Sequence, residues 1–174
     1  QPEQQTKEVV MISGYSGTGK TTLALNLKKK MTKEGAFVSG KFDQYCSGEP
    51  LSAISQAFGD ICRMIVKKGA SVCKEIENAL IAELQNEVCL LNQIVPDLKE
   101  VFSQKTEYTK TPDDTTSGAR QTKLNYAIRV FIRVISSHFS LLIFCLDDLQ
   151  WADVPSLEII ELLVSDVQNK KPLM

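Results

Sequence analysis

Gly14-Tyr15-Ser16-Gly17-Thr18-Gly19-Lys20-Thr21 fits the pattern Gly-x4-Gly-Lys-Ser/Thr, with the apolar run Val9-Val10-Met11-Ile12 before it and the helix-like stretch Thr22-Leu23-Ala24-Leu25-Asn26-Leu27 after it. Strand, glycine loop and helix form the setting in which this pattern cradles a polyphosphate. Glycines let the backbone curl so that successive N–H groups point inward. The start of the following helix adds partial positive charge. Lys20 supplies a point charge for the outer phosphates, and the Thr21 hydroxyl can complete the shell of a magnesium ion. The candidate phosphate-binding set is therefore Gly14, Tyr15, Ser16, Gly17, Thr18, Gly19, Lys20, Thr21 and Thr22. The bland alternative is a glycine turn that holds nothing.

A second stretch agrees with the first. Leu141-Leu142-Ile143-Phe144-Cys145-Leu146 is continuously apolar, as expected of a parallel strand covered on both faces, and it runs into Asp147-Asp148. Charged groups at the carboxyl end of such a strand face the crevice where open α/β sheets bind ligands. Beside a phosphate loop, Asp147 is the candidate to hold magnesium and Asp148 the candidate to polarise an attacking water. The competing reading is an acidic pair that merely ends a strand in solvent.

The chain has 174 residues, enough for one ordinary domain, and a net charge of −1 that gives no bulk attraction to nucleic acid or anionic membrane. The basic run Lys28-Lys29-Lys30 with Lys33 falls at the end of the first helix, where it suits the helix dipole and solvent. No apolar stretch is long enough to span a bilayer and no secretory signal opens the sequence, so a cytoplasmic setting is expected. Cys46, Cys62, Cys73, Cys89 and Cys145 form no close pair and read as free thiols in apolar surroundings. That spacing and the single histidine, His138, disfavour zinc.

Between the two motifs the chain reads as a helical crossover. Gly35 is expected to end the first helix, and Ala36 to Phe42 to form a strand. Leu51, Ile54, Phe58, Ile61 and Ile65 recur at helical steps, and Val72, Ile76, Leu80, Leu84, Val88 and Leu91 predict one further helix, with Gly69 between the two and Pro96 after. Residues 106–122 have the composition of a flexible loop. Leu124, Ile128, Phe131 and Ile135 mark a helix leading into the Asp147 strand. Asp153 is placed to cap a final helix, carrying Leu157, Ile160, Leu163 and Val167, with Pro155 in its first turn. More than a hundred residues separate Lys20 from Asp147, so the domain carries a helical elaboration between its second and third strands.

Gly14 to Thr21, Lys41-Phe42-Asp43-Gln44, Ile94-Val95-Pro96-Asp97-Leu98 and above all Leu146-Asp147-Asp148-Leu149-Gln150-Trp151-Ala152-Asp153 resemble the AAA-class ATPase domain of the origin-recognition-complex-like type. The likeness is strongest to the version in fused serine/threonine kinase–histidine kinase signalling proteins, within the signal-transduction ATPases with numerous domains. It implies an α/β P-loop NTPase fold with a parallel sheet of the additional-strand type, here spanning residues 1–174. It further implies ATP with Mg2+ as ligands, Gly14–Thr21 as the Walker A loop and Asp147 as the Walker B acid. Partners would be the other domains of a larger signalling polypeptide or oligomer partners. Trp151 and Asp153 are either packing and capping residues or nucleotide sensors. The family's next strand, which lies between the glycine-loop strand and the Asp147 strand, falls after residue 174, and a base-contacting segment, a helical lid and an arginine finger also fall outside. The chain is thus expected to be a piece of a longer protein, with an incomplete sheet and exposed strand edges, that binds nucleotide weakly and hydrolyses it slowly or not at all.

Rival readings are weaker. A GTPase would show Asn-Lys-x-Asp, whereas Asn169-Lys170 continues into Lys171-Pro172. A P-loop phosphotransferase usually brings an arginine-bearing lid, and none of Arg63, Arg120, Arg129 and Arg133 has such a context. A DNA-replication loader would need a basic face or winged-helix domain. A scaffold that binds ATP without useful turnover shares every residue with the ATPase and stays open.

Overall fold

The computed structural model describes residues 8–44, 49–102, 117–166 and 173–174. Two parallel strands, β1 (Ala36–Lys41) and β2 (Leu142–Asp147), pair in register from Ala36↔Leu142 to Lys41↔Asp147. Helix α1 (Lys20–Lys30) precedes β1. The crossover from β1 to β2 carries α2 (Ser52–Lys68), α3 (Ala70–Leu84), the short turns α4 (Val88–Leu91) and α5 (Leu98–Val101), and α6 (Ser117–Ser136), while α7 (Val154–Ser165) follows β2. Mixed α/β architecture with a parallel sheet and a helical crossover is the fold class the sequence implies.

The crossover packs because its apolar positions share one face. Along α2, Ala53, Ile54, Ala57, Phe58, Ile61, Cys62 and Ile65 are all buried. Phe58 sits at the junction of the layers, edge-on to Phe131 of α6 at 5.5 Å and to Phe144 of β2 at 5.9 Å between ring centroids. Close approach of α2 to the sheet needs Gly40, since a Cβ there would overlap the Ala53 carbonyl oxygen. Arg63 pairs with Asp60 of its own helix and with Asp97 just before α5, and Arg133 of α6 pairs with Asp166 at the end of α7 through two bonds of 2.9 Å. Cys62, Cys73 and Cys89 are buried and in no disulfide, as composition implies, and burial together with Asp97 and Glu100 pushes Cys62 up to about 12. Cys46 lies outside the described residues.

Several sequence expectations are corrected. Val9-Val10-Met11-Ile12 forms no ladder among the described residues, and Met11 is 80% exposed. A strand needs a hydrogen-bonding neighbour. Among the described residues, Glu8 just before this run donates its N–H to the Leu173 carbonyl (2.9 Å), and beyond that bond a cavity of about 770 Å3 lies between the run and Phe144–Leu146. Leu173 bridges in parallel to Leu142, so Leu173–Met174 lies between β2 and residue 8. With that flank open, only Leu142 and Ile143 of β2 are buried, and Phe144 to Asp147 are half-buried rather than covered on both faces.

Helix α1 ends at Lys30, not at Gly35. Met31 closes it and Gly35 makes a separate turn onto Thr32 just before β1. The single helix expected over 72–91 breaks at Gln85, where φ is 49° and ψ is −121°, yet Leu84, Val88 and Leu91 remain buried. The expected loop over 106–122 gives way at residue 117 to α6, whose first turns carry i,i+4 bonds from Thr122 to the Gly118 carbonyl and from Gln121 to Asn125. Residues 103–116 of that segment, and Val167, lie outside the described residues.

Phe58→Ala is expected to cost about 4 kcal/mol, the usual toll of emptying a buried aromatic site. Leu25→Ala on the exposed side of α1 should stay within about 0.5 kcal/mol. Urea unfolding of the two variants checks the contrast, and equal midpoints would refute a core centred on Phe58.

Candidate functional site

The glycine loop has the backbone its sequence requires. Gly14, Gly17 and Gly19 have φ values of 155°, 82° and 89°, a region that side-chain-bearing residues rarely adopt. A tight turn forms inside it, with the Thr18 N–H (3.4 Å) and hydroxyl (2.8 Å) both donating to the Tyr15 carbonyl. A Cβ at Gly14 would lie 3.1 Å from the Thr18 hydroxyl oxygen. Lys20 opens α1 and folds back over the loop, its Nζ donating to the carbonyls of Gly14 (2.8 Å) and Tyr15 (2.9 Å).

The start of α1 suits an anion. Gly19 at the N-cap brings no side-chain cap, and no acidic residue occupies the first turn. The first N–H groups, those of Lys20, Thr21 and Thr22, are therefore free of helical acceptors at the positive end of the dipole. Tyr15, Ser16, Gly17, Thr18 and Gly19 are exposed, so the loop is open to solvent.

The acids arrive from the other end of the chain. Thr21 Oγ1 donates to Asp147 Oδ2 at 2.8 Å across 126 residues of sequence. This is an ordinary hydrogen bond in length, and it joins the two candidate metal ligands, one from each motif. The other Asp147 oxygen, Oδ1, accepts the Asp148 N–H at 3.0 Å.

Asp148 takes a left-handed conformation (φ 57°, ψ 42°) as the chain leaves β2 for a 3-10 turn over Leu149–Trp151. Its Oδ1 accepts from Gln150 Nε2 at 3.0 Å, and its Oδ2 lies 3.4 Å from Lys41 Nζ. The Gln150 amide first, then the Lys41 ammonium and the more distant Lys20 charge, hold this carboxyl below the usual carboxylate range.

Asp153 caps α7 as its spacing predicts, with Oδ1 accepting from the Ser156 N–H at 2.9 Å and Oδ2 from the Ser156 hydroxyl at 2.8 Å. The Leu51 N–H also reaches Oδ2 at 3.3 Å, so this one carboxylate fixes the start of α2 as well. Partial burial pushes Asp153 up, but the Ser156 and Leu51 bonds outweigh it and the carboxyl lies low. Trp151 is 46% exposed and lines the same cleft as Asp147 and Asp148.

The structure thus brings Lys20, Thr21, Asp147 and Asp148 to one crevice. Lys41 and Gln150 belong to the same cluster, and sequence reasoning gave neither a role. A basic residue ending the strand beside the acidic one was the available signal for Lys41.

The fold and the loop define a P-loop nucleotide-binding domain. The family model described as the AAA ATPase domain matches residues 1–174, and the chain belongs to that family. It is also 30% identical over 158 residues to the hybrid signal transduction histidine kinase G of Dictyostelium discoideum, covering 91% of this chain. The chain spans 4% of that relative's length. No solved structure matches the chain. No described helix is long and apolar enough to cross a membrane.

Asp153→Ala should lose about 1 kcal/mol at neutral pH, the usual worth of an N-cap. Because the folded carboxyl is depressed below its ordinary 3.8, its stabilisation is present above that pH and is lost as pH falls through the folded value. Thermal unfolding of both proteins at pH 7 and at about pH 2.5 tests this. The gap between them is expected to close in acid, and a gap independent of pH would contradict the assignment.

Proposed function

We propose that this chain binds Mg-ATP and serves as a regulatory ATPase module of a larger signalling protein, of the signal-transduction ATPase type with numerous domains. The observation that carries the reading is the 2.8 Å contact between Thr21 and Asp147, which joins two candidate metal ligands beside an open glycine loop. The Dictyostelium relative is a signalling histidine kinase by its description, and this supports the signalling context. Residues 1–174 are proposed to form one ATPase unit, within a larger polypeptide whose other domains, or oligomer partners, read its state.

Each residue has a task in this reading. The N–H groups of Gly14 to Thr22, Gly17 and Gly19 among them, hold the phosphates, with Tyr15, Ser16 and Thr18 shaping the loop. Lys20 leaves the Gly14 and Tyr15 carbonyls and turns its ammonium to the outer phosphate oxygens. Thr21 and Asp147 hold the magnesium ion, which when bound neutralises charge on the phosphates. Asp148 orients the attacking water and takes up its proton. Adenine rather than guanine follows from family membership and from the lack of an Asn-Lys-x-Asp segment.

A second reading, an ATP-gated scaffold with no useful turnover, is favoured by one observation: both Asp148 oxygens are already engaged, by Gln150 and Lys41. The two readings share binding and part at hydrolysis.

Titration with a fluorescent ATP analogue and magnesium tests the shared part. Lys20→Ala is expected to weaken binding by at least about 100-fold, the loss of a charge-assisted phosphate contact. Asp148→Asn should bind within about twofold of the parent while phosphate release falls at least about 100-fold, the lower bound for a general base. ATP should compete better than GTP. Equal binding by Lys20→Ala and the parent would sink the phosphate site, equal phosphate release by Asp148→Asn and the parent would sink the role of Asp148, and no phosphate release by the parent would leave the scaffold reading.

A further inference from the structure

We propose that a pocket between Phe42 and Trp151 is a docking point for an arginine side chain carried by a partner polypeptide. The inference does not depend on nucleotide chemistry, since no residue of the glycine loop lines this pocket.

The pocket opens where the chain leaves both strands. Phe42 directly follows β1, and Trp151 ends the 3-10 turn that follows β2. Its volume is about 210 Å3, below the ~300–1,000 Å3 of sites that enclose a small molecule and of the right order for one side chain. Its walls are of two kinds. Phe42 and Trp151 are aromatic, whereas Asp43, Glu49 and Asp153 bring carboxyl groups and Gln44 adds an amide. Among the described residues no lysine, arginine or histidine lines it. Lys41, just before Phe42, turns its ammonium to Asp148 instead (3.4 Å). Asp153 is committed to Ser156 and Leu51. Glu49 is exposed and joins no ion pair among the described residues, so it is the carboxylate available to meet an incoming cation.

Arginine suits these walls better than lysine. A guanidinium is flat and weakly hydrated, stacks on an indole face, and donates two parallel bonds to a carboxylate. An ammonium is a strongly hydrated point charge and gains less from an aromatic wall. The surroundings suit a polypeptide rather than a free amino acid. Next to Asp153, Val154 and Leu157 in the first turns of α7 are 68% and 44% exposed, apolar surface that residues flanking the arginine would cover. A charged anchor in a pocket bordered by apolar contacts is common anatomy for a protein–protein contact. The pocket is also held in shape. Leu51 has a φ of 68°, uncommon for a residue with a side chain, and its N–H bond to Asp153 (3.3 Å) ties the Glu49 side to the Trp151 side.

Titration of the 174-residue chain without nucleotide tests the proposal, using acetyl-Gly-Arg-Gly-amide, its citrulline and lysine counterparts, and free arginine. Binding is read from the NMR signals of the Asp43 and Gln44 backbone amides and the Trp151 indole N–H. The arginine peptide should saturate with a Kd on the order of 1 mM, the scale of a single anchored side chain. The citrulline peptide keeps the shape without the charge and should bind at least about tenfold more weakly, the worth of one charge-assisted bond. Glu49→Gln, at an exposed position, should weaken the arginine peptide by a similar factor, and Trp151→Leu should weaken it as well. No saturation, a citrulline or lysine peptide that binds as tightly as the arginine one, or an unchanged Kd in Glu49→Gln would each overturn the proposal. Shifts centred on Thr21 and Asp147 would put the cation in the nucleotide crevice and overturn it too. Free arginine binding about tenfold tighter than the peptide would overturn the polypeptide partner.

Discussion

The parallel pairing of β1 with β2 is the constraint on which the rest of the structure depends. In parallel strands the carboxyl ends lie on one side, so aligning Lys41 with Asp147 brings both chain exits to the same edge. From one exit come Lys41 and the loop toward Leu51, and from the other come Asp148, Gln150 and the Asp153 cap. A parallel pair also requires a crossover, and here the crossover holds most of the hydrophobic core. Gly40 lets α2 lie against β1, and Phe58 links strand, first crossover helix and last. The register is thus maintained by packing remote from the crevice it serves.

The end of the crevice that holds the loop lysine and the acids is polar and satisfied from within. Lys20 spends its charge on two loop carbonyls, Thr21 bonds to Asp147, and Asp147 also accepts the Asp148 N–H. An incoming phosphate or cation must exchange these bonds for its own rather than simply add to them. The gain on binding is then a difference between two hydrogen-bonded arrangements, smaller than the sum of the new contacts. The bond from Thr21 keeps the start of α1 and Asp147, which come from distant parts of the chain, from drifting apart.

Much of this was legible in the sequence wherever a residue type has one physical use. Three glycines at loop spacing imply positive φ, and Gly14, Gly17 and Gly19 have it. An apolar run ending in acids implies a strand reaching a crevice, and β2 does so. Asp before Pro155 implies a cap, and Asp153 is one. What failed to show was whatever depends on a partner distant in sequence. Val9–Ile12 has strand composition, but a strand exists only through its neighbour. The break at Gln85 keeps the apolar spacing intact, so periodicity passes over it. The first turns of α6 are polar because they are exposed, and composition there reads as loop. Lys41 and Gln150 show their relation to Asp148 only once the register of β1 and β2 is known.

Trp151 is the chain's single tryptophan, and it stands half-exposed one turn past Asp148, beside the Asp153 cap. All indole emission from these 174 residues therefore originates at one known point, between the acidic end of β2 and the start of α7. Solvent exposure leaves that emission sensitive to whatever approaches, and the short 3-10 turn couples it to the backbone of the acids. The molecule carries its own optical probe at the crevice, and changes there can be followed without attaching a label.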